Sequence, residues 1–142
     1  VHHSQFIDEL IQKNKIEPQP WVDEDVTFHD PCYLGRHNNE YDAPRSVLQS
    51  VLRDGKIKEM EKAKSESFCC GAGGGNMWYE IKTGERINQN RVKQAVSTKA
   101  STVAAACNFC NIMLEDGVKT TQNEENIKVL DIAEIVSQSL SK

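Results

Sequence analysis

The apolar positions along the chain form two kinds of pattern, stripes at helical spacing and short uninterrupted runs. The first stripe contains four residues on one helical face: Phe6, Ile7, Leu10 and Ile11. It predicts an amphipathic helix over residues 1–15, with Ser4 as its cap. The second stripe contains Val47, Leu48, Val51 and Leu52. It predicts a helix that begins at an Asp42 cap, tolerates Pro44 in its first turn and ends near Gly55.

Three more helices are predicted in the second half of the chain. One covers residues 84–98 and turns four residues inward: Ile87, Val92, Ala95 and Val96. The next covers residues 108–116 and ends at Gly117, because glycine frequently follows the last helical turn. The last extends from an Asp131 cap to Leu140.

Short apolar runs between these helices predict strands. The clear ones cover residues 26–29, 102–106 and 127–130, and weaker signals cover residues 57–60 and 66–68. A glycine-rich stretch follows, and a helical start is predicted over residues 76–79. Because strands and helices alternate, we predict an α/β fold with a mostly parallel sheet flanked by helices. We expect the cysteine-bearing loops at the carboxyl ends of the strands, where such folds carry their ligand sites.

The composition is typical of a globular domain. The chain has 142 residues, of which 38% are hydrophobic and 27% charged, and we predict one domain over residues 1–142. An amphipathic segment begins almost at Val1, which is not a methionine, so we expect a piece of a longer multidomain chain. The net charge of -4, without a basic stripe, argues against nucleic acid as a partner.

The sequence contains neither the long apolar run of a membrane span nor the layout of a secretory signal. We therefore expect no membrane contact from this segment itself. The predicted location is the cytoplasm, or the cytoplasmic face of the membrane if missing parts of the parent protein are attached there.

Five cysteines are the main chemical feature of the chain: Cys32, Cys69, Cys70, Cys107 and Cys110. An odd number cannot pair off completely in disulfides, and a chain without export signals favours thiolate ligands in a reducing compartment. Each cysteine block follows a predicted strand, so three loops distant in sequence are expected to meet at one edge of the sheet. Such convergence is what a shared metal centre requires.

The spacing of the cysteines helps to distinguish the centres that thiolates prefer. Adjacent side chains such as those of Cys69 and Cys70 diverge in an extended backbone and poorly chelate one tetrahedral ion. A single zinc ion takes four ligands and leaves a fifth thiolate idle, whereas a multi-iron cluster distributes five sulfurs over several irons. We therefore favour an iron–sulfur cluster. A zinc-stabilised structural or docking module and a thiol/disulfide exchange domain stay open as alternatives.

A glycine-rich loop follows the adjacent cysteines, and Gly71, Gly73 and Gly74 are candidate cofactor-binding residues. Glycines let backbone N–H groups approach cluster sulfurs, and such hydrogen bonds raise the reduction potential. A phosphate cradle is the alternative interpretation. The loop lacks both the Gly-Lys-Ser/Thr ending of a P-loop and the full dinucleotide-binding pattern.

Two polar residues near Cys32 are the only candidates for a catalytic role beyond the cluster itself. His29 gates a proton or binds substrate, or it is a packing histidine at the end of a strand. Arg36 holds an anionic substrate or offsets thiolate charge, or it forms a surface salt bridge. Trp78 and Tyr79 are interpreted as core residues, with a cover over the cluster as the alternative.

Three cysteine blocks resemble one known family. They are His29-Asp30-Pro31-Cys32-Tyr33-Leu34-Gly35-Arg36, Phe68-Cys69-Cys70-Gly71-Ala72-Gly73-Gly74-Gly75 and Ala106-Cys107-Asn108-Phe109-Cys110. Together they resemble the cysteine-rich CCG domain of heterodisulfide reductase subunits and of the iron–sulfur subunits of glycolate oxidase and anaerobic glycerol-3-phosphate dehydrogenase. The flanking residues 41–45, 86–88 and 113–117 are most similar to the C-terminal half of quinone-reducing iron–sulfur oxidoreductases linked to electron-transfer flavoprotein.

The resemblance implies a noncubane 4Fe-4S cluster held by all five cysteines, with zinc in its place in some relatives. It implies an oxidoreductase component that relays electrons towards a quinone or a disulfide acceptor. The partners implied are other domains or subunits of the parent protein: a second CCG domain, a ferredoxin-like domain and a flavoprotein. An isolated piece of such a protein is expected to be inactive on its own.

Overall fold

The computed structural model describes residues 1–80 and 82–140. Within these ranges lie five α-helices: α1 (His3–Gln12), α2 (Asp42–Val51), α3 (Ile87–Ser97), α4 (Asn108–Thr120) and α5 (Ile132–Ser139). The same ranges contain three strands: β1 (Val26–Phe28), β2 (Thr102–Ala105) and β3 (Lys128–Asp131). Two short 3-10 helices cover Lys64–Glu66 and Gly73–Trp78.

A parallel sheet with the strand order β1-β2-β3 forms the centre of the fold. Val26 of β1 lies opposite Thr102 of β2, and Thr102 in turn lies opposite Lys128 of β3. All the described pairings are parallel. The predicted α/β class is therefore confirmed.

Helices cover both faces of this sheet. On one face, Phe28 and Ala104 belong to a core cluster with α2 and α5, and α1 packs on those two helices. On the other face, Val103 and Ala105 belong to a second cluster with α3 and α4. Successive residues of β2 point to opposite faces and all four are buried, as expected for a covered parallel strand. Two apolar layers therefore fix the sheet and the loops at its carboxyl edge.

The weaker strand predictions at residues 57–60 and 66–68 are wrong. Ile57 forms an isolated parallel bridge with Val26, and residues 64–66 form a 3-10 helix. Lys58 and Glu59 are exposed, so this stretch has too few apolar residues for a strand covered on both faces. Of the helical start predicted at residues 76–79, residues 76–78 belong to the second 3-10 helix, and Tyr79 is its C-cap in an extended conformation.

Two predicted caps are wrong, and a third is confirmed. Helix α1 is capped by His2, whose Nδ1 accepts a hydrogen bond of 3.2 Å from the Ser4 N–H, while Ser4 itself is buried in the first turn. Asp42 is the first residue of α2 and makes no cap; the Glu40 carboxylate accepts the Asp42 and Ala43 N–H groups at 3.1 and 2.9 Å. Asp131 caps α5 as predicted, accepting from the Ala133 N–H at 2.8 Å.

Gly117 does not end α4, which continues to Thr120. A Cβ atom on Gly117 would lie 2.8 Å from Val92 Cγ2 and 3.0 Å from the Asn88 carbonyl oxygen. The glycine thus allows α3 and α4 to pack closely, and it does not act as a terminator. Helix α3 begins at Ile87, three residues later than the predicted start at residue 84. Ile87 itself is only half-buried.

In the part of the chain that the structure describes, no helix is both long and apolar enough to cross a membrane.

Candidate metal centre

The strands position two of the three cysteine blocks. Cys32 lies in the turn after β1, and Cys107 is the N-cap residue of α4, two residues beyond the end of β2. Cys110 lies in the first turn of α4. Because β1 and β2 are parallel neighbours, their carboxyl ends bring these cysteines to the same edge, as predicted.

The third block, Cys69 and Cys70, does not follow a strand, so that part of the prediction is wrong. It lies in an irregular segment between the two 3-10 helices. Side-chain contacts hold this segment against the end of β1: Ser67 Oγ donates to the Asp30 carbonyl oxygen at 3.1 Å, and Arg36 donates to the Ser67 carbonyl oxygen at 2.9 Å.

All the cysteines nevertheless line one cavity of about 290 Å³. Its walls come from the loop after β1, the glycine-rich segment and the start of α4. The cysteines among its lining residues are Cys32, Cys69, Cys70, Cys107 and Cys110. Three segments remote in sequence therefore converge on a shared space.

The cavity is closed towards the core and open towards the surface. Cys70 and Cys110 are buried, whereas the other three cysteines are half-buried. Three aromatic lining residues are exposed over more than half of their surface: Tyr33 at 76%, Trp78 at 78% and Phe109 at 55%. Trp78 and Tyr79 are thus not core residues, which corrects the prediction, and Trp78 stands at the mouth of the cavity.

The thiols influence one another strongly. The Cys110 thiol and the N–H groups of Cys110 and Phe109 at the start of α4 lower the pKa of Cys107 to about 6, against the effect of burial. The pKa of Cys70 is also lowered, because Cys110, Cys69 and His29 all stabilise its thiolate. The thiols that support these thiolates, Cys110 and Cys69, have raised pKa values. The site therefore concentrates thiolate charge in one place.

The glycine-rich loop contacts the sulfur of Cys69. The Gly71 N–H lies 3.2 Å from Cys69 Sγ and donates to it, and a Cβ atom on Gly73 would lie 3.8 Å from the same sulfur. Gly73 and Gly74 line the cavity, and Gly74 has a φ of 66°, which favours glycine. These contacts place backbone donors where the sequence analysis expects them, and the assignment of the glycines as cofactor-binding residues stays a prediction.

The candidate side chains near Cys32 occupy different positions. Arg36 is exposed at the cavity wall and makes no ion pair within residues 1–80 and 82–140. His29 is 1% exposed, as a packing histidine would be, but it also lines the cavity. One of its ring nitrogens, Cys70 Sγ and Cys110 Sγ all lie within 4.8 Å of one another. Burial lowers the pKa of His29 despite this neighbouring thiolate.

Sequence analysis missed Arg91, which is completely buried in α3 behind His29. Its Nε–H donates to His29 Nδ1 at 2.9 Å, and its Nη2 donates to Ser67 Oγ at 3.2 Å. Burial lowers the pKa of Arg91 to about 10, so the guanidinium is still charged at neutral pH. The available signal was an arginine on the inward face of α3, next to Val92 in the sequence.

The donor set fits a multi-iron centre. Zinc–sulfur bonds of about 2.3 Å draw four thiolates tightly around one ion. Here five sulfurs share a cavity of about 290 Å³, with backbone N–H donors and a buried cation to offset their charge. Thiolate ligands of this kind are the usual ligands of iron–sulfur clusters.

A thiolate-lined cavity at the carboxyl edge of a parallel sheet is the arrangement of a metal-binding α/β domain. Comparison with known proteins gives the particular family. The cysteine-rich CCG domain matches residues 26–115, and the chain belongs to this family.

Curated relatives support an iron–sulfur component of an oxidoreductase. The chain is 42% identical over 139 residues to a probable iron-sulfur-binding oxidoreductase, FadF, of Bacillus subtilis, covering 98% of this chain and 20% of that protein. It is 40% identical over 146 residues to the EtfAB:quinone oxidoreductase of Syntrophomonas wolfei, covering 98% and 20%. It is 39% identical over 140 residues to one of the subunits of the dihydromethanophenazine:CoB--CoM heterodisulfide reductase of Methanosarcina barkeri, covering 99% and 34%.

The chain thus spans between a fifth and about a third of the length of these relatives. No solved structure matches it significantly.

Proposed function

We propose that this chain is an electron-transfer module that holds a noncubane-type 4Fe-4S cluster. The observation that carries the proposal is that all the cysteines line one cavity although they come from three separate segments. The ligands would be Cys32, Cys69, Cys70, Cys107 and Cys110. The cluster would supply the one-electron chemistry, and the chain would bind it, restrict water and set its potential.

The environment of the sulfurs supports a centre larger than one ion. The adjacent residues Cys69 and Cys70 both line the cavity, although one is half-buried and the other buried. A group with several metals uses both, because different metals can take the two sulfurs. Gly71, Gly73 and Gly74 would then contribute the backbone donors on the Cys69 side of the group.

We further propose that the module works within a longer oxidoreductase and is inactive on its own. The relatives named as a quinone oxidoreductase and as part of a heterodisulfide reductase support relay towards a quinone or a disulfide acceptor. The partners would be a second CCG domain, a ferredoxin-like domain and a flavoprotein of the parent protein. Reduced thiolate ligands favour the cytoplasm, or its membrane face through other parts of that protein.

The deciding experiment is anaerobic purification followed by analysis for iron, acid-labile sulfide and zinc. We expect iron and sulfide in the ratio of a 4Fe-4S cluster. Cys69→Ser and Cys107→Ser should bleach the visible chromophore and destabilise the domain, since metal binding is coupled to folding at such sites. His29→Ala, as the control, should retain the chromophore. Stoichiometric zinc without sulfide would refute the proposal, as would an unchanged chromophore in Cys107→Ser.

Two observations support alternative functions. The buried group of His29, Cys70 and Cys110 has ligand atoms close enough for one zinc ion, which would make the chain a structural or docking module. The lowered pKa of Cys107 is typical of a reactive thiol in an exchange protein. Metal-free protein with a reversibly reducible Cys69–Cys70 or Cys107–Cys110 pair would support the latter.

A further inference from the structure

Arg91 is the largest completely buried side chain in the described part of the chain, and no carboxylate pairs with it there. All its described partners are neutral. Besides His29 Nδ1 and Ser67 Oγ, they are the Lys62 carbonyl oxygen at 2.8 Å and Gln94 Oε1 at 2.7 Å. A buried cation without a carboxylate is costly unless negative charge is nearby. That charge comes from the nearby Asp30 carboxylate, which pairs directly with Arg45, and from the thiolates of Cys110 and Cys70 in the cavity.

The contact between Arg91 and His29 determines where the imidazole proton lies. An arginine Nε–H can only donate, so His29 Nδ1 must accept at 2.9 Å. A neutral imidazole whose Nδ1 accepts carries its proton on Nε2. One ring nitrogen of His29 lies within 4.8 Å of Cys70 Sγ and Cys110 Sγ, and because Nδ1 is engaged by Arg91, Nε2 is the nitrogen free to face the sulfurs. His29 therefore presents an N–H donor to the sulfurs.

This geometry also argues against His29 as a metal ligand. Ligation through Nε2 needs the lone pair on that nitrogen, and a neutral ring would then carry its proton on Nδ1. An Nδ1–H group would point directly at the Arg91 Nε–H, where two donors would meet. Zinc held by His29, Cys70 and Cys110 is thus disfavoured by the residue behind the histidine.

We propose that Arg91 and His29 act as a positioning pair that tunes the centre through Cys70. Arg91 fixes the Nε2–H tautomer, and His29 donates that proton in a hydrogen bond to the Cys70 sulfur. The inference rests on the proposed iron–sulfur function. Reduction adds one electron and increases negative charge on the sulfurs. The donor and the buried cation stabilise that state, and no proton has to move.

The first test measures the tautomer and needs no cluster. Long-range ¹⁵N–¹H correlation spectra of the labelled, metal-free chain should show His29 as the Nε2–H tautomer. The His29 signal is assigned from its loss in His29→Gln. Arg91→Met keeps the bulk of the side chain but removes every hydrogen-bond donor. In this variant the Nδ1–H tautomer of His29 should appear. The exposed His37 should give the same spectrum in both proteins.

The second test is a redox titration of the cluster-loaded chain. His29→Leu, which keeps the volume but removes both hydrogen bonds, should make the midpoint potential more negative. We expect a change equivalent to about tenfold in the oxidised-to-reduced ratio, about 59 mV for a one-electron couple. Arg91→Met should shift the potential in the same direction. His29→Gln should restore it, because the amide oxygen accepts from Arg91 and the amide N–H donates to Cys70.

The controls separate this inference from the proposed function. His37→Gln makes the same substitution at an exposed histidine and should leave the potential unchanged.

A wild-type potential in His29→Leu with full iron and sulfide content would overturn the inference, as would an Nδ1–H tautomer of His29 in the wild-type chain. If His29→Leu loses its cluster, the tautomer spectra and the midpoint potentials of Arg91→Met and His29→Gln decide whether the positioning pair exists. Absence of iron and sulfide from the wild-type chain would instead contradict the proposed function, and the tautomer would still test the pair.

Discussion

Two arginines show how single residues fix the loops around the cavity. Arg91 supports His29 from the core side, and Arg45 clamps Asp30 at the end of β1. The Asp30 carboxylate is buried and accepts from both Nη atoms of Arg45 at 2.8 and 2.9 Å, and from the Lys64 N–H at 2.7 Å. Hydrogen bonds with Glu59 and Asp30 raise the pKa of Arg45 although burial acts in the opposite direction. Asp30 thus joins the loop after β1 to α2 through Arg45, and to the segment that precedes Cys69 through the Lys64 N–H.

Arg45→Met should destabilise the protein strongly because it leaves the Asp30 carboxylate buried without its partner. Breaking a buried ion pair in this way costs about 3 kcal/mol or more. Urea unfolding at pH 7 measures the change. Arg53→Met is the matched control, since the Arg53–Asp23 pair is exposed. Equal effects of the two substitutions would show that Asp30 does not depend on Arg45.

At the scale of elements, amphipathic patterning predicted where the helices lie because most residues of their stripes face the two core clusters. Phe6 of α1 is an exception, since it is exposed over 53% of its surface. Termini were harder to predict. The cap of α2 comes from Glu40, outside the helix, and Gly117 is explained by contact with α3. Gly117 has no local signal, since its role depends on the path of α3. Glu40 lies only two and three residues from the N–H groups it accepts, but glutamate is not among the residues that the cap rules favour.

The cap of α2 should depend on Glu40 and not on Asp42. N–H groups at the start of α2, chiefly that of Ala43, outweigh burial and lower the pKa of Glu40 below its usual 4.5. Glu40→Ala should reduce the free energy of unfolding at pH 7 by about 1 kcal/mol. Since the folded pKa is lowered, the charge contributes fully above 4.5 and its contribution is lost as the pH falls through the folded value.

Urea unfolding at pH 7 and at about pH 4 measures this difference. Asp42→Asn is the control, because Asp42 makes no side-chain cap. A larger loss for Asp42→Asn than for Glu40→Ala would restore the sequence-based prediction of the cap.

Gly117→Ala should destabilise the contact between α3 and α4. The new methyl group would lie 2.8 Å from Val92 Cγ2 and 3.0 Å from the Asn88 carbonyl oxygen. Overpacking of this kind costs about 1–3 kcal/mol, which exceeds the gain of up to about 1 kcal/mol from better helix propensity. Thermal unfolding measures the balance, with Glu115→Ala on the exposed side of α4 as control. An increase in Tm for Gly117→Ala would mean that the helices separate without cost.

At the scale of the whole molecule, the site combines predictable and unpredictable parts. Parallel strands brought Cys32 and Cys107 together, and this follows from the alternation of elements. The Cys69–Cys70 segment and Arg91 could not be placed from local patterns. Their positions depend on contacts such as Ser67 Oγ with the Asp30 carbonyl oxygen, which join residues 37 apart in the sequence.

The contrast between the covered sheet and the irregular Cys69–Cys70 segment predicts which parts of the molecule depend on a bound group for their stability. The sheet is held by the two core clusters on its faces, and β2 is completely covered. The segment around Cys69 and Cys70 has no ladder of hydrogen bonds, and its 3-10 helix contains Gly74 and Gly75 in left-handed conformation. Bound metal would therefore stabilise this segment more than the sheet.

Removal of the metal by a chelator should consequently loosen residues 67–78 selectively. Amide hydrogen exchange there should accelerate by about tenfold or more, which corresponds to about 1.4 kcal/mol of lost local stability. Exchange in β2 and α2 should accelerate less, and these elements are the internal comparison. Equal acceleration throughout the chain would mean that the fold as a whole depends on the metal as much as this segment does. Unchanged exchange at residues 67–78 would mean that Cys69 and Cys70 do not hold it.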